Sequence, residues 1–350
     1  MVRQTLMTGP RGQLIQTLFP DGVPRLWCPT LTHYAEGGKI DRTRLRAHLR
    51  SMQPWVKGFL IPGSTGEGWE MNDAEIRDLL GIMIDEAREV KGHILVGILK
   101  TNAADVASSI AELTAWLQTR TGTSNAADGF AASGICGLTV CPPTGADLSQ
   151  EAIQVALEGV LSLGIPVSLY QLPQVTQNEM SPQVLTGLAA RYANFYLFKD
   201  TSGADQAAKG GLRDVFMVRG AEGDYTSHLA EGGGAYDGFL LSTANCFGKQ
   251  LAGLIDDMQH GRRAEADAFS ATLSGICARL FPLAGAVGFG NAFTNANKAM
   301  DHFMAHGPEA AKVPAPLLYS GKRLPASLIE AAGKELASNG LMPQKGYLQA

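Results

Sequence analysis

IPVSLYQLP (165–173), SPQVLTGLAARY (181–192) and NFYLFKDTSG (194–203) follow one another along the chain, and their order decides the fold. IPVSLY and NFYLFK are short β-rich runs, apolar on both faces, as parallel strands covered by helices must be. Between them, the stretch opened by Ser181 spaces its apolar residues as a helix does, with the serine placed to cap it. Strand, helix, strand is one β-α-β unit.

The same unit recurs in both directions. Arg25–Leu31 (RLWCPTL), Lys57–Gly63 (KGFLIPG), His93–Leu99 (HILVGIL) and Ile135–Cys141 (ICGLTVC) precede it; Asp214–Gly220 (DVFMVRG) and Asp237–Thr243 (DGFLLST) follow. With Ile165–Tyr170 and Asn194–Lys199 that makes eight strands. Asp73–Val90 puts Ile76, Leu79, Leu80, Met83, Ile84 and Ala87 on one stripe, with Asn72 or Asp73 to cap it, and Ser149–Leu163 is spaced similarly. Alternating strands and helices leave a closed barrel or an open doubly wound sheet. Eight units ending near residue 260 fit the closed α/β form, a (β/α)8 TIM barrel. The expected organisation is an N-terminal arm (1–24), a barrel (25–260) with a flexible polar insertion at 118–133, and a C-terminal helical extension (261–350). Arg262–Leu280 and Ala326–Ser338 carry helical patterns in that extension.

Composition narrows the function. The chain has 350 residues, 29 basic against 33 acidic, a net charge of −4, and no basic tract, so nucleic acid and anionic membrane are not expected partners. No apolar run reaches the ~18 residues of a membrane span, and the N-terminus lacks a secretion signal's pattern. Cys28, Cys136, Cys141, Cys246 and Cys277 are dispersed, with no CxxC, and read as reduced thiols of a cytoplasmic protein. The seven histidines show no metal-ligand spacing, so no metal is expected. GSTGEG is not a dinucleotide fingerprint, and neither a nucleophile elbow nor a phosphate loop occurs.

In a barrel, chemistry sits at the C-terminal ends of strands. Lys199 ends the sixth strand behind four apolar residues. Enclosing an ammonium strips its hydration and favours the neutral amine, which condenses with a ketone to an iminium. Position alone serves equally well a lysine paired with Asp200. Tyr170 ends the fifth strand and could move protons, or simply be packed. Gly63–Glu67 offers two hydroxyls and backbone N–H groups to a carboxylate, though a glycine turn at a strand end is common.

Four motifs in this order, GSTGE (63–67), LYQLP (169–173), FKDTSG (198–203) and GAYDGFLLSTAN (234–245), resemble the dihydrodipicolinate synthase / N-acetylneuraminate lyase superfamily of pyruvate-dependent class I aldolases, from about Arg25 to about Phe281. The resemblance implies roles by matched position. Lys199 is the Schiff-base lysine, Tyr170 the acid/base tyrosine, and Ser64 and Thr65 the carboxylate binders. Leu240 lines the pyruvate pocket. It also implies a homo-oligomer, a tetramer or dimer, and no cofactor beyond the iminium. Two departures argue against dihydrodipicolinate synthesis. Val175 stands where those synthases carry an arginine, and Pro142-Pro143-Thr144-Gly145 where they carry an aromatic pair. The GSTGE spelling resembles the sugar-acid branch, in which Glu222 and Ser242 match positions contacting substrate hydroxyls. Gln171 departs from that branch's asparagine. Thr201, two residues past Lys199, should face the same side.

The expected function is a lyase that reversibly cleaves a 2-oxo-4-hydroxy acid to pyruvate and an aldehyde. A sugar-acid dehydratase and a pyruvate-condensing synthase use the same iminium. A catalytically silent binding barrel is the reading from a different class.

Overall fold

The computed structural model describes residues 9–349. Eight strands form: β1 (Leu26–Pro29), β2 (Gly58–Ile61), β3 (His93–Ile98), β4 (Ile135–Val140), β5 (Val167–Gln171), β6 (Phe195–Asp200), β7 (Phe216–Arg219) and β8 (Gly238–Leu240). They are hydrogen-bonded in chain order with β8 returning to β1, so the sheet closes into the expected barrel, with helices between strands and further helices at the C-terminus. Every strand lies within its predicted run or one residue beyond it. Apart from His93, every strand residue is buried, which is why the runs are apolar on both faces.

The chain packs as two compact units. One comprises residues up to Trp27 with His93–Ala221 and Ser227–Leu241. Its β5 and β6 are in register from Ser168 opposite Leu197 to Gln171 opposite Asp200. The described part of the N-terminal arm is the helix Gly9–Leu18, and it is docked. Arg11 donates to the carbonyls of Phe195 (2.8 Å), Tyr192 (3.0 Å) and Ala189, and Phe19 packs on Trp27, His93 and Tyr196. Residues 1–8 of the arm lie outside the described part.

The stretch 118–133, read from sequence as a flexible insertion, holds the end of one helix and a second short one, joined by the turn 122–125. Gln118–Thr121 is the last turn of the helix Ala103–Thr121, which ends at Gly122 with φ of 70°. Ala126–Ala132 is a second helix, capped by Asn125, whose side chain accepts from the Asp128 amide at 2.9 Å. Small polar residues suggest a loop, but one buried side chain, Phe130, anchors this turn of helix.

The other unit comprises Cys28–Gly92, Glu222–Thr226 and Ser242–Ala350. Its helix Asp73–Val90 has the predicted bounds, with Asn72 and Glu75 forming a reciprocal capping box. The C-terminal extension is helical as expected, with helices at Arg263–Gly285, Ala292–His306 and Ala326–Ser338. Arg263–Gly285 is, among the described residues, the one helix long and apolar enough to cross a membrane. Its buried Ala266, Ser270, Leu273, Ile276, Cys277, Leu280 and Ala284 recur every three or four positions, the spacing of a helix laid on a core. None of the five cysteines is in a disulfide.

Candidate active site

Within the first unit, Tyr170 and Lys199 are cross-strand neighbours and both are buried. The Lys199 amine lies 3.8 Å from the centroid of the Tyr170 ring, a cation–π distance. Asp200, the next residue, projects to the opposite face of the strand. Its carboxylate accepts from the Ser202 amide (2.9 Å) and the Tyr236 hydroxyl (3.2 Å). Burial pushes Asp200 above the usual carboxylate range. Tyr236 also donates to Asp205 (2.6 Å), which pairs with Arg219 (3.1 Å). Burial alone would raise Asp205, but the Arg219 and Tyr236 hydrogen bonds outweigh it and hold the group down. Asp200 therefore belongs to a buried cluster on the far face of the strand.

Thr201 follows on the chain, with its amide bonded to the Gln171 carbonyl (3.0 Å) and its hydroxyl buried without a hydrogen-bond partner. Gly220 explains how it fits. A Cβ at Gly220 would fall 2.2 Å from Thr201 Oγ1 and 2.8 Å from Lys199 Cε, so only glycine admits both side chains. Gln171 is committed, since its amide oxygen accepts from the Met180 N–H (2.8 Å) and its amide nitrogen donates to Glu179 (3.1 Å). Leu240 is fully buried on β8, opposite Trp27. Cys141 is buried, which pushes its thiol up, against the opposing charge of Lys199.

The second unit holds the GSTGE motif as a 3₁₀ turn, Ser64–Gly66, with Glu67 in the left-handed region (φ 63°). Gly66 has no alternative there, because a Cβ would sit 2.4 Å from the Thr30 carbonyl oxygen. The amides of Gly66 and Gly68 bond to the Gly63 carbonyl, and that of Glu67 to the Ser64 carbonyl. Two backbone donors of the expected anion cradle at 63–67, those of Gly66 and Glu67, are thus spent inside the turn. The donors of Ser64 and Thr65 themselves remain the candidates. Both residues are buried, and Ser64 Oγ accepts from the Trp69 indole at 2.9 Å. Thr294 Oγ1 and Asn291 Nδ2 donate to the carbonyls behind them. Glu67 is buried against Lys298 (2.5 Å) and takes the Tyr319 amide (2.8 Å), which ties the turn to the C-terminal extension.

Glu222 and Ser242 also belong to this unit, and they meet. The Glu222 carboxylate accepts from Ser242 Oγ (2.7 Å), the Thr243 amide (3.0 Å), Thr243 Oγ1 (2.8 Å) and the Tyr225 hydroxyl (2.9 Å). Four donors fill the roughly four lone-pair sites of a carboxylate. The family resemblance placed both residues among the hydroxyl-contacting groups; their mutual bond is information that only packing supplies.

One cluster in the same unit has the donor types of a metal site. His33, His48 and Asp301 are buried, with ligand atoms within 4.8 Å of one another. Asp301 is already occupied, however. It takes Arg44 (3.0 Å), His48 Nδ1 lies 3.0 Å away, and Tyr347 donates to both oxygens (3.1 Å each). Burial alone would raise Asp301, but its contacts with His48, His33 and Arg44 outweigh it and hold the carboxyl well below its usual range. A divalent cation would have to sit against the Arg44 guanidinium. Asn245 fixes the other side of His48. Its amide nitrogen donates to the carbonyls of Pro29 (3.0 Å) and Ser242 (2.8 Å), so its oxygen accepts from Leu31 N (2.9 Å) and from His48 Nε2 (3.0 Å). The network ties the end of β1, the turn after β8 and the C-terminal extension together. Sequence reading named none of Trp69, Lys298, Asp301, His48 or Asn245 as site-supporting residues. The visible signal was Ala292–His306, a helical stretch with asparagines, a lysine and an aspartate at core spacing; buried charges of that kind need partners.

Comparison with known proteins matches the fold. The sequence model described as "Dihydrodipicolinate synthetase family" matches residues 23–288. A 4-hydroxy-tetrahydrodipicolinate synthase from Xanthomonas axonopodis pv. citri (strain 306) is 28% identical over 251 residues, 69% of this chain and 75% of that protein. An uncharacterized DapA-like lyase from Rhizobium meliloti is 25% identical over 171 residues, 49% of this chain and 51% of that protein. Among solved structures, YagE from E. coli, a prophage protein of the dihydrodipicolinic acid synthase family in complex with pyruvate, superposes with a TM-score of 0.69 at 20% identity, covering 91% of this chain and 99% of that one. Dihydrodipicolinate synthase from Aquifex aeolicus gives 0.71 at 15% identity, covering 92% and 100%.

Proposed function

The chain belongs to the dihydrodipicolinate synthetase family, and from that premise we propose that it is a Schiff-base lyase that reversibly cleaves a 2-oxo-4-hydroxy acid to pyruvate and an aldehyde. The observation that carries the proposal is the pairing of Lys199 with Tyr170 on adjacent strands, amine over ring. A buried amine with a phenol beside it is the minimum equipment for iminium chemistry.

The steps follow from those two groups. The neutral Lys199 amine adds to the C2 ketone, and the carbinolamine hydroxyl leaves as water on a proton from Tyr170, giving the iminium and the tyrosine phenolate. Tyr170 takes the proton of the C4 hydroxyl as the C3–C4 bond breaks. The bonding pair moves into the iminium, forming an enamine, and the aldehyde leaves. Protonation at C3 and hydrolysis then return pyruvate and the free amine. Ser64 and Thr65 hold the C1 carboxylate, and Leu240 encloses the methyl side. No cofactor enters the sequence of steps. We assign the second-substrate end to Thr201, whose buried hydroxyl lies beside the Lys199 stem, and to Ser242, with Glu222 acting through the Ser242 hydroxyl it holds. The enzyme acts as a homo-oligomer in the cytoplasm on this reading.

The name of the Xanthomonas relative favours a second reading, a synthase running the reaction toward condensation. Val175, half-buried on the short helix Pro173–Thr176, stands against an anionic aldehyde, since it offers no partner to a second carboxylate. A screen of 4-hydroxy-2-oxo acids for pyruvate release tests the lyase reading. Release from at least one of them is expected. Binding of pyruvate without turnover of any substrate, in either direction, would leave only a binding protein.

A further inference from the structure

The geometry points to Trp69 as a positioning residue for substrate carboxylate, acting through Ser64; this rests on the proposed role of Ser64. An indole N–H can only donate. At 2.9 Å, Trp69 Nε1 therefore makes Ser64 Oγ the acceptor in that bond. The Ser64 hydroxyl proton is excluded from that direction and is left to donate elsewhere. A serine hydroxyl ordinarily rotates to suit its surroundings. This one is held in a single sense, as a donor, before any ligand arrives.

The surroundings remove the competing uses of that proton. The Ser64 carbonyl takes the Glu67 amide and the Asn291 side chain, so the backbone of the turn is pinned. Ser64 is buried, and its neighbour Gly66 is locked against Thr30. The Trp69 bond thus spans five residues and closes the loop over the turn. A ligand with a negatively charged oxygen gains most from a donor fixed in this way, because no reorientation is needed on binding. Charge on the acceptor strengthens the bond further. The class recognised is a carboxylate, and Trp69 sets the affinity for it while never touching it.

The test is a double-mutant cycle read by calorimetry with pyruvate as the probe. Trp69→Phe removes the donor and keeps an aromatic ring. Replacement by 3-benzothienylalanine removes it with almost no change of shape, which covers the case in which the phenylalanine variant folds poorly. Either change should weaken pyruvate binding by about 3- to 10-fold, the worth of one neutral hydrogen bond. In a Ser64→Ala background the same change should alter binding by less than about 1.5-fold, because the two residues act as one. An undiminished effect of Trp69→Phe in that background, or no effect in the native one, overturns the inference. Borohydride trapping runs in parallel and reads Lys199 alone. Pyruvate that binds without forming an adduct would sink the Schiff-base reading while the cycle still decides Trp69. Failure of the native protein to bind pyruvate would overturn both.

Discussion

Lys199 and Tyr170 face each other across β6 and β5, with the lysine nitrogen 3.8 Å above the centre of the tyrosine ring. Parallel strands keep register neighbours on the same face, so this contact follows directly from Tyr170 pairing with Lys199 in the ladder. It leads to the first prediction. Borohydride with pyruvate should leave one stable adduct per chain, on Lys199, and Lys199→Arg should leave none, since a guanidinium does not condense with ketones. Tyr170→Phe should still be trapped, but turnover should fall by about 10²-fold or more. Peptide mapping of the reduced adduct decides it, and labelling of any other lysine refutes the mechanism.

Glu222 takes four donors, and a glutamine cannot. Glu222→Gln keeps one acceptor oxygen and turns two donors toward the Tyr225 and Thr243 hydroxyls. Leaving such groups unpaired costs about 1–3 kcal/mol, which should appear as a lower unfolding midpoint in urea. Cleavage of the true substrate should slow, and pyruvate trapping should survive. Normal stability together with normal cleavage would show that neither the network nor the specificity role holds.

Asp301 is the anion on which Arg44 and His48 converge. Asp301→Asn leaves the half-buried Arg44 guanidinium without its counter-charge and takes the anion from beside buried His48, and a loss of about 3–5 kcal/mol is expected. Denaturant unfolding measures it directly. A variant with near-native stability would mean that water or rearrangement compensates the pair.

Acid should destabilise this chain above the carboxylate range. Burial and the nearby Arg44 charge lower His302 from 6.5 to about 4, and burial likewise lowers His33 and His93. The unfolded chain therefore binds more protons than the folded one between those values. Stability from His302 is complete above pH 6.5 and is lost as pH falls toward 4, by at most about 3 kcal/mol. Unfolding free energies across pH 4–7.5 should show that fall, and His302→Gln, which retains a donor for the Ala310 carbonyl, should flatten it.

Val175 carries the last prediction. Losing an arginine–carboxylate contact typically costs 2–5 kcal/mol in a desolvated site. Condensation of pyruvate with aspartate semialdehyde should accordingly be slow or absent. Turnover at ordinary enzymatic rates would favour the synthase reading that the Xanthomonas relative suggests.

The barrel was legible because its strands are covered on both sides, and each becomes an unbroken apolar run that nothing else in the sequence imitates. The segment 118–133 was not, because a seven-residue helix resting on Phe130 has too few turns for a period to show. Lys199 and Tyr170 could be picked out from the sequence because strand ends are where a barrel carries chemistry. Glu222 and Ser242 could be named, but not their bond to each other, since 20 residues separate them along the chain. Trp69 was passed over because an indole at a loop position is ordinarily a packing group, and only the direction of its N–H gives it a task.

The sequence by itself determined the alternation of strands and helices, the closure after eight units, and which side chains stand at the ends of strands. Those properties depend on local period and burial, which each short segment carries within itself. The tertiary structure alone decided which donors remain available. It committed Gln171 to Met180 and Glu179, Glu222 to four neighbours, and Ser64 to the role of donor. Hydrogen-bond capacity is small and directional, so it is settled only when residues distant in sequence, or folded back within one loop, meet in space.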